Sequence, residues 1–227
     1  MYSDRKSSRR WWQAGLMMIL AVTMIMIAAP RLLHELALVP GAPIHKKLTE
    51  AEPVYAAEID ALESSRLGAL AIASTPDAEG SLGLTYLLKA QREENPEDRA
   101  AWADMAVSHF ENSLRQARFE PYIWHQLATA YLMTNPSRPV DAAKAWQASV
   151  ETASYEPRLL LPRIHVGILA YSGFDETQRE LMRKQFAIAY ERSPLGTRQY
   201  GTKFDLLDWF VFLSPDEAAQ EYLLAKL

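Results

Sequence analysis

Five histidines, His34, His45, His109, His125 and His165, are the residues of this 227-residue chain best suited to acid–base chemistry or metal ligation. His125 and His165 fall at nearly equivalent points of two related passages, FEPYIWHQLATAY (119–131) and YEPRLLLPRIHVG (155–167). Each passage opens with an aromatic residue, Glu, Pro, a variable residue and an aliphatic one, and Pro157 follows Pro121 by 36 positions. Two imidazoles so spaced can face one groove, yet a metal centre needs a third ligand. Two partly exposed polar positions on packed helices account for the same spacing. The carboxylates Glu93-Glu94, Glu97-Asp98 and Asp216-Glu217 gather where helices begin or end, which reads as capping and solvated faces. A glycosidase pair would need two acids held about 5–9.5 Å apart in a cleft. The sequence contains no H-E-x-x-H, G-x-S-x-G, phosphate-binding glycine loop or EF-hand run. With no cysteine, disulfides, thiolate metal sites and a cysteine nucleophile are excluded. No catalytic residue, cofactor or metal is expected.

The elements that carry these residues divide into two chemically distinct parts. Residues 1–10 hold Arg5, Lys6, Arg9 and Arg10, and residues 11–29, WWQAGLMMILAVTMIMIAA, carry no charge. As a helix those nineteen residues extend roughly 28 Å, close to the hydrocarbon thickness of a bilayer. The basic flank predicts a cytoplasmic tail over 1–10, a transmembrane anchor over 11–29, and export of the rest across a bacterial inner membrane. Trp11 and Trp12 suit the inner interface. Ala28 and Ala29 also resemble a signal-peptide cleavage site, although Pro30 directly after them disfavours that cut. The first thirty residues carry +3, which leaves −7 for the remainder of a chain whose net charge is −4. So acidic an exported part repels phosphate backbones, and nucleic acid is not an expected partner.

Residues 30–54, with Pro30, Pro40, Pro43 and Pro53, read as a stalk that no long helix crosses unbroken. From 55 to 227 the composition is helical, and no stretch alternates with a period of two. Helices are expected near 55–73, 77–93, 98–118, 121–134, 139–153, 157–172, 176–192, 198–212 and 215–226. Thr75-Pro76-Asp77 marks one start, and the pairs Asp175/Gln178 and Ser214/Glu217 have capping-box spacing. Short links between such helices predict antiparallel neighbours. The aromatic run Tyr200, Phe204, Trp209, Phe210 and Phe212 is expected mainly to seal the end of the stack, with part of it left as a docking patch.

Trp124, Leu127, Ala128 and Tyr131 follow the W-x2-L-G-x2-Y spacing of a first repeat helix, with Ala in the small position. Ala142, Trp146 and Ser149 supply small, aromatic, small at i, i+4 and i+7, as do Met182, Phe186 and Ala189 ahead of Pro194. Leu82, Gly83 and Tyr86 repeat the first pattern, and Ala106, Phe110 and Ser113 the second. Over 77–194 the sequence resembles the tetratricopeptide repeat (TPR) family, with 198–226 as capping helices. It departs from that pattern where the first two L-G-x2-Y positions lie 45 apart, and where 157–172 lacks the Trp and sets Gly167 out of register. A generic helical bundle with an aromatic core is the other reading, and both are all-α. The resemblance implies a TPR-like solenoid whose inner face would carry Tyr122, His125, Thr129 and Leu132 as protein-binding residues. Residues 100–192 are also similar to single-span proteins associated with bacterial polysaccharide biosynthesis and export.

The expected function is therefore a membrane-anchored periplasmic scaffold or accessory factor for an envelope assembly, binding protein partners. Two other classes stay open: a periplasmic chaperone or holdase, which needs an exposed apolar groove, and a glycan-active enzyme, which needs a cleft with paired acids.

Overall fold

The computed structural model describes residues 4–50 and 52–225, and every regular element among them is helical. The chain divides into two compact units, Met1–Ala78 and Glu79–Leu227.

In the first unit, α1 (Asp4–Leu38) is followed by a 3-10 turn (Val39–Gly41), α2 (Ala42–Thr49) and α3 (Ala56–Leu70). Helix α1 runs through Pro30 without ending there. Two other prolines of the expected stalk fall where a missing N–H costs least: Pro40 and Pro43 lie in the first turns of the 3-10 segment and of α2. Residues 30–49 are thus largely helical, and Pro30 does not break the helix as its position in the 30–54 segment suggests. Helix α3 ties down the end of α1. Ser65 Oγ donates to the Ala37 carbonyl at 2.7 Å and Arg66 Nη1 to that of Leu38 at 3.1 Å, so two of the carbonyls left open at a helix C-terminus are satisfied. Gly41 allows the close approach, since a Cβ there would lie 2.9 Å from Leu62 Cδ1. Buried His34 contacts the Ala69 carbonyl through Nδ1 at 3.0 Å and the Thr75 hydroxyl through Nε2 at 3.2 Å. A carbonyl only accepts, so Nδ1 carries the hydrogen and Nε2 accepts from Thr75. Thr75 Oγ1 in turn caps the Ala78 N–H at 3.3 Å, as the Thr-Pro-Asp start signal predicts.

The second unit continues α4 (Pro76–Arg92) into α5 (Pro96–Gln116), α6 (Pro121–Met133), α7 (Pro139–Thr152), α8 (Leu160–Leu169), a 3-10 turn (Tyr171–Gly173), α9 (Glu176–Arg192), α10 (Pro194–Lys203), α11 (Leu207–Leu213) and α12 (Glu217–Leu224). Successive helices meet where a small residue on one faces a large one on the next. Gly83 of α4 lies against the fully buried Phe110 ring, where a Cβ would stand 2.7 Å from Cδ1. Gly167 of α8 fits between Trp146 of α7 and Met182 of α9, where a Cβ would lie 3.0 Å from Trp146 Nε1. Gly167, though out of repeat register, is therefore the close-approach point of three helices. The Asp175/Gln178 capping box forms in both directions, at 2.8 and 2.9 Å.

Three expected elements differ. The helix expected over 157–172 begins only at Leu160 and ends at Leu169; a turn closed by Leu159 N–H to Glu156 O precedes it. The segment expected as one helix over 198–212 is two, broken at Asp205, whose φ is 56°. Leu206 N–H closes that break on the Gly201 carbonyl at 2.8 Å, and the bare Gly201 admits Leu207 and Phe210. The last helix is capped by Asp216, which accepts from Ala219 N–H at 2.8 Å, while Ser214 spends its hydroxyl on the Phe210 carbonyl.

Candidate protein-binding face

The four residues expected on a binding face all belong to α6, but they are presented differently. Pro121 at the first turn starts the helix, and the buried Leu127, Ala128 and Tyr131 hold it against its neighbours. Tyr122 is 41% exposed at the N-terminal end. Burial of its hydroxyl end, and then its hydrogen bond to Glu156, push its pKa up. Thr129 is half-buried and donates its hydroxyl to the His125 carbonyl of its own helix at 3.1 Å. Leu132 is half-buried ten residues from Tyr122, or about 15 Å along the axis. It lines a groove of about 630 Å³ with Pro96, Arg99 and Asn135. His125 is buried at 8% exposure, and its Nδ1 has no hydrogen-bond partner among the described residues. Burial lowers its pKa to about 4, with Arg163 and His165 adding in the same direction. It is a neutral imidazole at neutral pH, and not a presented cation.

His125 and His165 do come near one another, as the paired passages suggest, and the face they share extends further. His165 is half-buried, with its pKa lowered by burial. Its Nδ1 lies 3.4 Å from the Tyr200 hydroxyl, and its ring packs on Phe204 at 5.3 Å between centroids. Residues of α6, α8 and α10 therefore lie side by side, while α7 and α9 contact each other. Among the described residues, no three His, Asp or Glu side chains gather as a metal site would require.

Sequence reasoning missed the residue that joins these helices. Arg163 is fully buried and makes no ion pair among the described residues. Its guanidinium donates to Ser149 O at 2.6 Å, Ala153 O at 2.8 Å and Ser149 Oγ at 3.0 Å, all at the C-terminal end of α7. The negative end of that helix thus balances the cation, although burial still lowers its pKa to about 10. Ser149 Oγ donates onward to the Pro121 carbonyl at 2.7 Å, and Trp146 Nε1 donates to the Arg163 carbonyl at 2.7 Å. The available signal is an arginine placed between Leu160 and Ile164 in a helix whose only other polar side chain is His165.

Among the described residues, the class that follows is an all-helical protein with one N-terminal helix long and apolar enough to cross a membrane, its best 18-residue window having mean hydropathy 2.2 and no residue buried. The chain matches no protein-family model and no curated protein.

Proposed function

We propose that this protein is a membrane-tethered, protein-binding scaffold or accessory factor of the bacterial envelope, with a TPR-like helical domain on the periplasmic side. Polysaccharide synthesis or export is the assembly it serves. The observation that carries this reading is the adjacency of alternate helices in the middle of the domain: α6 meets α8 near His125 and His165, α8 meets α10 through His165 and Tyr200, and α7 and α9 contact each other. Helix pairs stacked in series produce that pattern, and the resulting surface suits an extended peptide or a partner's helix. Tethering favours weak contacts, because confinement to one membrane raises the effective concentration of a partner. No catalytic step, cofactor or metal is assigned.

The test is a photocrosslinking amino acid at Tyr122, with Lys184 of α9 as an exposed control, in the full chain in its native host membranes. Adducts with polysaccharide-assembly proteins at Tyr122 and not at Lys184 are expected. A heterogeneous set of unfolded envelope proteins would instead favour a holdase. Equal yields at both positions would overturn the assignment of this face.

A further inference from the structure

Tyr171, Asp208, Trp209 and Phe212 line a solvent-open cavity of about 280 Å³, and none of them belongs to the α6–α8–α10 face. The break at Asp205 creates it. Because α11 starts afresh at Leu207, its buried Phe210 and Leu213 fix one side inward, and Asp208, Trp209 and Phe212 share the other. Tyr171, in the turn after α8, closes the corner.

The three rings meet edge to face, Phe212 nearly perpendicular to the other two. Tyr171 and Trp209 make an angle of 62° at 5.0 Å, Tyr171 and Phe212 one of 84° at 6.1 Å, and Trp209 and Phe212 one of 86° at 5.8 Å. The centroid separations of 5.0–6.1 Å bring all three rings to one corner, where a cation seated in the cavity can come within the reach of about 6 Å over which an aromatic face attracts it. The rings touch edge to face and together line an open depression.

Charge agrees with shape. The only acid lining the cavity, Asp208, is exposed and has neither ion pair nor hydrogen bond among the described residues. The Arg179 guanidinium carbon sits 5.2 Å from the Tyr171 ring centroid, so the ring face it covers is taken; Arg179 does not line the cavity, and Trp209 and Phe212 supply the remaining faces. Phe212 is 56% exposed, an expensive place for a phenyl ring that contacts no ligand. A hydrated ammonium would keep its water and gain little from three apolar walls, whereas methyl groups on nitrogen spread the charge over a surface such walls can cover.

We propose that this corner binds a methylated ammonium cation of the trimethylammonium class, with Asp208 as the counter-charge. The test is calorimetric titration of the full chain, in a maltoside detergent free of choline, with choline and with its neutral isostere 3,3-dimethyl-1-butanol. Saturable choline binding is expected, at least about tenfold tighter than the alcohol, or about 1.4 kcal/mol. Asp208→Asn and Phe212→Leu, both at exposed positions, are expected to weaken it about tenfold with unchanged far-UV circular dichroism. Trp209→Leu should abolish it. Failure to saturate, equal affinity for the alcohol, or unaltered affinity in both exposed-site variants would overturn the proposal. Reconstitution in phosphatidylglycerol vesicles with and without phosphatidylcholine separates the sources. Competition by phosphatidylcholine identifies a lipid headgroup, and its absence a free small cation.

Discussion

A neutral imidazole buried beside a guanidinium makes the fold sensitive to acid. In the unfolded chain His125 takes up its proton near pH 6.5, whereas in the fold burial, then Arg163 and His165, hold its pKa down to about 4. Between those values the unfolded state binds the extra proton and the folded state does not. Stability is therefore full above about pH 6.5 and falls as pH drops toward 4, by about 3 kcal/mol for this one group. His165 and His45, also lowered by burial, act in the same direction. The midpoint of thermal unfolding should fall more between pH 7.5 and 4.5 in the parent chain than in His125→Gln. Equal falls in the two proteins would mean that the acid sensitivity lies elsewhere.

Between elements, the same neighbourhood shows how one side chain can join three helices. Arg163 of α8 satisfies carbonyls at the end of α7, and the hydroxyl that accepts from it reaches Pro121 O in α6. Arg163→Met removes three charge-assisted hydrogen bonds but keeps much of the bulk, and should cost about 3 kcal/mol, a loss of about 6–12 °C in Tm for a unit of this size. Arg163→Lys should recover only part, because an ammonium lacks the planar fork that spans these acceptors; full recovery, measured by circular dichroism melts, would mean that charge alone suffices. This network could not be read from sequence, because it depends on which helix ends meet. Helix starts were legible where a capping side chain and a proline coincide, as at Thr75-Pro76, or where both halves of a capping box are present, as at Asp175 and Gln178. Ser214 misled because Asp216, two residues on, offers a carboxylate to the same end. The break at Asp205 was hidden because a left-handed residue there is not glycine, and because the aromatic run around it suits either one helix or two. Of the candidate face, the nearness of His125 and His165 followed from the paired passages, whereas Tyr122 rests on the repeat resemblance around Trp124. The burial of His125 followed from neither, since it depends on Arg163 and on the next helix.

For the whole molecule, topology is the property on which the proposed role rests, and composition and structure bear on it separately. Residues 11–29 carry no charge, and the helix that contains them has no buried residue across its best 18-residue window. The side chains of that window are not buried in the protein, and leaving so much apolar surface in water costs about 25 cal/mol per Å². A bilayer removes that cost. Four basic residues in the first ten, against a remainder of net −7, should hold the N-terminus in the cytoplasm. The absence of cysteine makes this directly measurable. In Ser172→Cys, at an exposed site between α8 and α9, a membrane-impermeant maleimide should label cells whose outer membrane has been permeabilised. Ser7→Cys should label only after lysis, and should remain on a full-length species if the anchor is retained. Cleavage would separate the two labels on a gel without altering the side on which Ser172→Cys reacts. Labelling of Ser7→Cys and protection of Ser172→Cys would reverse the topology and remove the periplasmic scaffold altogether.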